Sequence, residues 1–103
     1  MNVPSAIWHK IFIRDKGKCQ YCGKDLLEHP SDFDSATTDH VRPRRLDGTD
    51  DTTNLVLACP SCNHKLSRCS ETTFKGRFAY IKERLLERKQ NWLAKRKELR
   101  RRS

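Results

Sequence analysis

The sequence predicts a small α+β domain: a strand–loop–strand–helix unit, preceded by one helix and followed by a long basic one. Three observations predict it. Two Cys-x-x-Cys pairs, Cys19-Gln-Tyr-Cys22 and Cys59-Pro-Ser-Cys62, bracket the middle of the 103-residue chain. Apolar residues recur at spacings of three and four near both ends, whereas between the pairs they form short strand-like runs. All of the net charge of +9 falls in the last thirty residues: residues 74–103 carry twelve Lys/Arg against Glu83, Glu87 and Glu98, and residues 1–73 balance at ten and ten.

The elements follow in order. Pro4 or Ser5 is placed to open a helix through Asp15, with Ile7, Trp8, Ile11 and Phe12 on one face and Gly17 to end it. The first cysteine pair comes next. Leu26–Ser35, with Pro30, Ser31 and several acids, reads as a loop leading into a strand over Ala36–Val41. Arg42-Pro-Arg-Arg45 and the turn-rich Leu46–Asp51 connect it to a second strand, Leu55–Ala58. A helix is expected over Cys62–Ser67. The last helix spans Phe74–Leu99, where Phe74, Phe78, Ile81, Leu85, Trp92 and Leu99 form one apolar stripe. At about 1.5 Å per residue it runs some 35 to 40 Å, more than one small core can cover. Its first half is expected to pack on Trp8 and Phe12. Its second half must pair with another subunit or a protein partner, lie along nucleic acid, or stay partly exposed. The division is thus a core over 1–73 and a basic helical extension of the same domain over 74–103.

Each short cysteine pair can bring two thiolates to one ion, and four suit tetrahedral zinc. A domain of this size often needs a metal to supplement its core. Cys19, Cys22, Cys59 and Cys62 therefore predict a structural Zn2+ site in a reducing, cytoplasmic compartment rather than a disulfide framework, with Cys69 a spare thiol. No apolar run approaches the roughly 20 residues of a membrane span, and Met1–Ile13 lacks the pattern of an export signal. The basic segment, including Lys82, Arg88, Lys89, Lys95 and Arg96, implies a polyanionic partner, since phosphate contacts release counterions. The bland reading is a solvated helix face.

The 36 residues between the pairs hold more than spacing requires. Asp39 is a hard oxygen ligand of the kind Mg2+ or Mn2+ takes beside phosphate and water. His40 exchanges a proton near neutral pH. Asn63, fixed by the adjoining Cys62, offers a second oxygen ligand. Asn54 stands where its side chain can bond the backbone near His40 and hold the imidazole. Arg42, Arg44, Arg45 and Lys65 add phosphate-binding charge. Singly, each has a duller explanation: Asp39 a turn acid, His40 a packed histidine, Asn54 a turn former, Asn63 a helix cap. Their occurrence together inside the cysteine frame favours phosphodiester hydrolysis. One condition applies, because neighbours in a regular strand face opposite ways: Asp39 and His40 share a site only where the strand ends. His9 and His29 read as structural, and His64 as a weaker alternative ligand.

Cys19-x-x-Cys22, Thr38-Asp39-His40-Val41-x-Pro43, Gly48, Asn54-Leu55-x-x-x-Cys59-x-x-Cys62-Asn63 and Lys65 together resemble the HNH endonuclease family, in its H-N-N subgroup, over roughly Phe12 to Arg68. The resemblance implies the ββα-metal (His-Me finger) fold, a catalytic Mg2+ or Mn2+, and DNA cleavage to 5′-phosphate and 3′-hydroxyl ends. It assigns Asp39 and Asn63 as metal ligands, His40 as general base and Asn54 as the residue orienting it. The four cysteines hold the structural zinc. Small stand-alone proteins of this family resemble phage or mobile-element nucleases acting in a bacterial cell. Departures are Asp47-Gly48 where two glycines often stand, and Leu66 where a lysine is frequent, with Lys65 one place earlier.

The sequence thus predicts a metal-dependent DNA endonuclease of low intrinsic sequence specificity. Two rivals remain: a zinc-stabilised nucleic-acid-binding module without catalysis, and an assembly adaptor docking through the last helix.

Overall fold

In a computed structural model the described residues are 5–103, so Pro4, one of the two candidates for opening the first helix, lies outside them. Helix α1 runs Ser5–Arg14. It stops where Lys16 and Gly17 take φ of 57° and 67°, and the Gly17 amide donates back to the Phe12 carbonyl at 3.0 Å. This left-handed terminus is the one glycine favours. The chain passes directly into the first cysteine knuckle, whose turn is closed by the Gly23 amide donating to the Cys19 carbonyl.

Leu26–Ser35 is not all loop. Pro30–Ser35 forms a short helix, α2, with Pro30 in its first turn and Asp32 beside the exposed amides there. Proline's fixed φ is suited to a helix start, so the residue read as a loop former opens a helix instead.

Strands β1 (Thr37–His40) and β2 (Leu55–Ala58) pair antiparallel, with Thr37 opposite Ala58 and His40 opposite Leu55. Two strands alone are marginal in water, and here the other edge of β2 is occupied. The Gln20 amide donates to the Leu57 carbonyl at 2.9 Å, and the Leu57 amide donates to Oδ2 of buried Asp15 at 2.8 Å. Arg14 reaches the Thr52 and Leu55 carbonyls. The end of α1 and the first knuckle therefore brace the sheet.

Helix α3 spans Pro60–Leu66, opening two residues earlier than expected because Cys59 caps it and Pro60 starts it. The order β1–loop–β2–α3 is the expected strand–loop–strand–helix unit. Helix α4 runs Phe74–Arg102, capped by Thr73, whose hydroxyl accepts from the Gly76 amide at 3.1 Å. Its 29 residues span about 43 Å.

Ile81 of α4 is 0 % exposed and shares the core with Ile11, Leu26, Leu55 and Leu57. The seat of α4 differs from the one expected. Its first half rests on α3, and Phe74 stacks on Tyr21 of the knuckle at 5.3 Å between ring centroids. The rings of Trp8 and Phe12 instead meet Phe33 of α2, at 5.9 and 5.5 Å. The unforeseen helix supplies the aromatic cover that α4 was expected to give. Farther along, Leu86, Trp92, Leu93 and Leu99 are exposed. Among the described residues no helix is long and apolar enough to cross a membrane.

Candidate active site

The two knuckles bring Cys19, Cys22, Cys59 and Cys62 together, with all four sulfurs within 4.8 Å of one another. Zn–S bonds of about 2.3 Å would set tetrahedral sulfurs roughly 3.8 Å apart, and Cys22 Sγ lies 3.7 Å from Cys59 Sγ. The Cys62 amide donates to Cys59 Sγ at 3.4 Å, as it would to a thiolate. Hydrogen bonding with Cys59 and Cys62 holds the Cys19 thiol well below its ordinary range, while burial pushes Cys22 up to about 11. Thiols this crowded cannot all ionise without a cation. Donor set and spacing are compatible with zinc.

Beside this cluster, between β1, the following loop, α3 and the start of α4, lies an open cavity of about 270 Å³ lined by Asp39, His40, Pro43, Arg44, Arg45, Asn63, Leu66, Ser67 and Arg77. The condition on Asp39 and His40 is met, because His40 is the last residue of β1. Asp39 comes from the strand interior and Asn63 from the fourth residue of α3.

His40 Nε2 lies 2.7 Å from Asp50 Oδ1. An ionised carboxylate only accepts, so Nε2 carries the proton and the lone pair of the neutral ring sits on Nδ1. Asp50 also receives both Nε and Nη2 of Arg44, at 3.1 and 2.7 Å. Its hydrogen bond with His40, followed by that with Arg44, holds its carboxyl below the usual carboxylate range.

Asn54 bonds the backbone two residues beyond His40. Its Oδ1 accepts from the Arg42 amide at 2.8 Å, and its Nδ2 donates to the carbonyls of Arg42 and Thr49 at 3.1 and 2.9 Å. The ring itself is held by Asp50, so Asn54 closes the loop that carries Asp50. Gly48 makes that loop possible: a Cβ there would stand 1.7 Å from the Arg42 carbonyl oxygen.

The basic residues separate into groups. Arg44 and Arg45 line the cavity. Arg42 turns its Nε to the Leu46 carbonyl at 2.7 Å. Lys65 bonds Ser61 and lines a second groove with His64, Arg84 and Arg88. On α4, Lys82 lies over Phe78, Lys95 pairs with Glu98, and Arg96 stacks on Trp92 at 4.4 Å, while Lys89 is exposed.

Three participants escaped the sequence reading. Asp50 looked like one more turn acid. Tyr21 stands between the two cysteines of the first knuckle, and its hydroxyl donates to Asp39 Oδ2. Arg77 was counted with the basic helix, yet it is 3 % exposed and forks onto Asp39, Nε to Oδ2 at 3.0 Å and Nη2 to Oδ1 at 2.7 Å. Only the Thr73 cap, which fixes where α4 begins, could have hinted that Arg77 lies in its first turn. Burial, and then the nearby Asp39 charge, push the Tyr21 phenol far up, so it remains a donor. Burial opposes the Arg77 charge, but the bonds to Asp39 more than offset it.

Among curated proteins, none matches the chain. A family comparison matches residues 19–68, which include every cysteine of the cluster together with Asp39, His40, Asp50, Asn54 and Asn63. The family it matches over that stretch is the HNH endonuclease family.

Proposed function

We propose that the protein is a divalent-metal-dependent endonuclease that hydrolyses DNA phosphodiester bonds with low intrinsic sequence specificity. The observation that carries this reading is the single cavity lined by Asp39, His40 and Asn63 with Arg44 and Arg45 at its side. It joins two oxygen donors, a proton acceptor and cations sized for phosphate.

His40 is the general base. With Nε2–H bonded to Asp50, it accepts a proton from the attacking water at Nδ1, and Asp50 stabilises the imidazolium that forms. The carboxylate of Asp39 and the amide oxygen of Asn63 are the hard donors that would hold Mg2+ or Mn2+. Such an ion, when bound, supplies Lewis-acid stabilisation of the phosphoryl and leaving 3′ oxygens. Arg45, exposed at the cavity, meets the phosphate directly, and Arg44 divides its charge between Asp50 and the site. Asn54 keeps the loop closed so that Asp50 stays behind the imidazole. The structural zinc fixes Asn63 through the adjoining Cys62. Lys65 and Arg88 in the groove between α3 and α4, followed by Lys89, Lys95 and Arg96, lie where a duplex backbone would track along α4.

One observation favours the second reading, a nucleic-acid-binding module without catalysis: the carboxylate of Asp39 is already matched by Arg77. Supercoiled plasmid incubated with a series of divalent ions separates the two. Nicking that requires Mg2+ or Mn2+ and disappears in His40→Ala, with zinc content unchanged, is the expected result. Equal residual nicking in both proteins would leave the binding module.

A further inference from the structure

We infer that Arg77 acts as a resident counter-cation at the metal-ligand carboxylate, restricting Asp39 to one metal bond and weakening the hold of the free protein on a divalent ion. The inference rests on the nuclease reading above.

A carboxylate offers about four lone-pair sites. In Asp39 three are taken, two by the fork of Arg77 and one by Tyr21, so a single site remains, on Oδ1. The fork is anchored at its far side as well, since Arg77 Nη1 donates to the Glu71 carbonyl at 3.1 Å. Tyr21 is held in turn by stacking on Phe74. A guanidinium keeps its charge at any working pH. The Asp39–Arg77 pair therefore presents no net charge to an incoming cation, and Asn63, the other oxygen donor, is neutral. Affinity for hard cations follows the charge count of the ligands, so this pair of donors binds an ion far more weakly than a free carboxylate would. Arg77 is a positioning residue: it acts on the ion through Asp39.

The test is Mn2+ binding without DNA, followed by the electron paramagnetic resonance signal of the free ion. Zinc-loaded wild type, Arg77→Gln, Tyr21→Phe and Asn63→Ala are compared. Arg77→Gln is expected to bind Mn2+ at least tenfold more tightly than wild type. Tyr21→Phe frees a lone pair without changing charge and is expected to shift the affinity less than threefold. Because Arg77→Gln leaves a buried carboxylate unpaired and risks misfolding, the wild type carries a second readout. In its 15N spectrum the Arg77 Nε–H is expected to stay protected from exchange when Mg2+ saturates the protein. Equal Mn2+ affinities for wild type and Arg77→Gln, with binding lost in Asn63→Ala, would overturn the inference alone. So would loss of Arg77 protection on adding Mg2+. No specific Mn2+ binding by any of the four proteins would overturn both the inference and the nuclease reading.

Discussion

Asp50 braces His40 from the loop between the strands, carboxylate oxygen to Nε2 at 2.7 Å. Thus the turn-rich segment Leu46–Asp51 carries a site residue as well as connecting two strands.

Asp50 should titrate unusually low. Its carboxyl is held down by the hydrogen bond with His40 and then by Arg44. A depressed folded value means the brace is intact above the ordinary aspartate range, about 3.9, and is lost only as pH falls through the lower folded value. Carbon-13 NMR of the Asp50 carboxyl should show a midpoint below about 3.9, and Arg44→Ala should move it upward. Asp50→Ala, tested in the plasmid assay, should lower the cleavage rate by about 10- to 100-fold, less than the roughly 100- to 10,000-fold that a general base itself contributes, because the imidazole remains.

Removing zinc should unfold the core. The four cysteines join the end of α1, β2 and α3, and three of the four are buried. Structural zinc contributes on the order of 10 kcal/mol to small domains, more than a core this size supplies without it. Cys59→Ser, or a strong chelator, should abolish the cooperative thermal transition followed by near-ultraviolet circular dichroism. A folded, zinc-free variant that still cuts would show that the cluster is dispensable.

Gly48→Ala should be among the costlier single-methyl additions. The added carbon would meet the Arg42 carbonyl, which is also an acceptor for Asn54 Nδ2. Overpacking against backbone costs about 1–3 kcal/mol or more, readable as a lower denaturant midpoint. The displaced loop also carries Asp50, so activity should fall more than stability alone explains.

The two halves of α4 should respond differently. Ile81→Ala removes a core side chain and should cost about 2–5 kcal/mol. Trp92 is 54 % exposed, and Trp92→Ala should change stability by less than about 0.5 kcal/mol. A chain ending at Lys89 keeps Ile81 and Leu85 but loses Lys95, Arg96, Lys97 and Arg100–Arg102. Its DNA affinity should depend less steeply on salt, by about 0.9 in the log–log slope per phosphate contact removed. A halving of the sedimenting mass on that truncation would show instead that Trp92 and Leu99 serve a dimer.

Elements with a local cause were legible. The knuckles, β2, the start of α4, and the strand–loop–strand–helix order all follow from residues close in sequence, where periodicity and cysteine spacing act. Pro30 and Pro60 were the exceptions among local signals, since proline at the first helical position starts a helix. The helix that Pro30 opens also displaces α4, because Phe33 holds the aromatic position on Trp8 and Phe12.

The sequence by itself determined which chemistry is on hand: four thiols spaced for one metal ion, and an acid, an imidazole and an amide in order within that frame. Only the tertiary structure decided the partners of those groups. Asp50 reaches His40 across ten residues, and Arg77 reaches Asp39 across thirty-eight. Such pairings depend on how β1, the loop and α4 pack around the four-cysteine cluster. An arginine in a run of cations carries no local mark that the chain will bury it, because that choice depends on a carboxylate brought to it by folding.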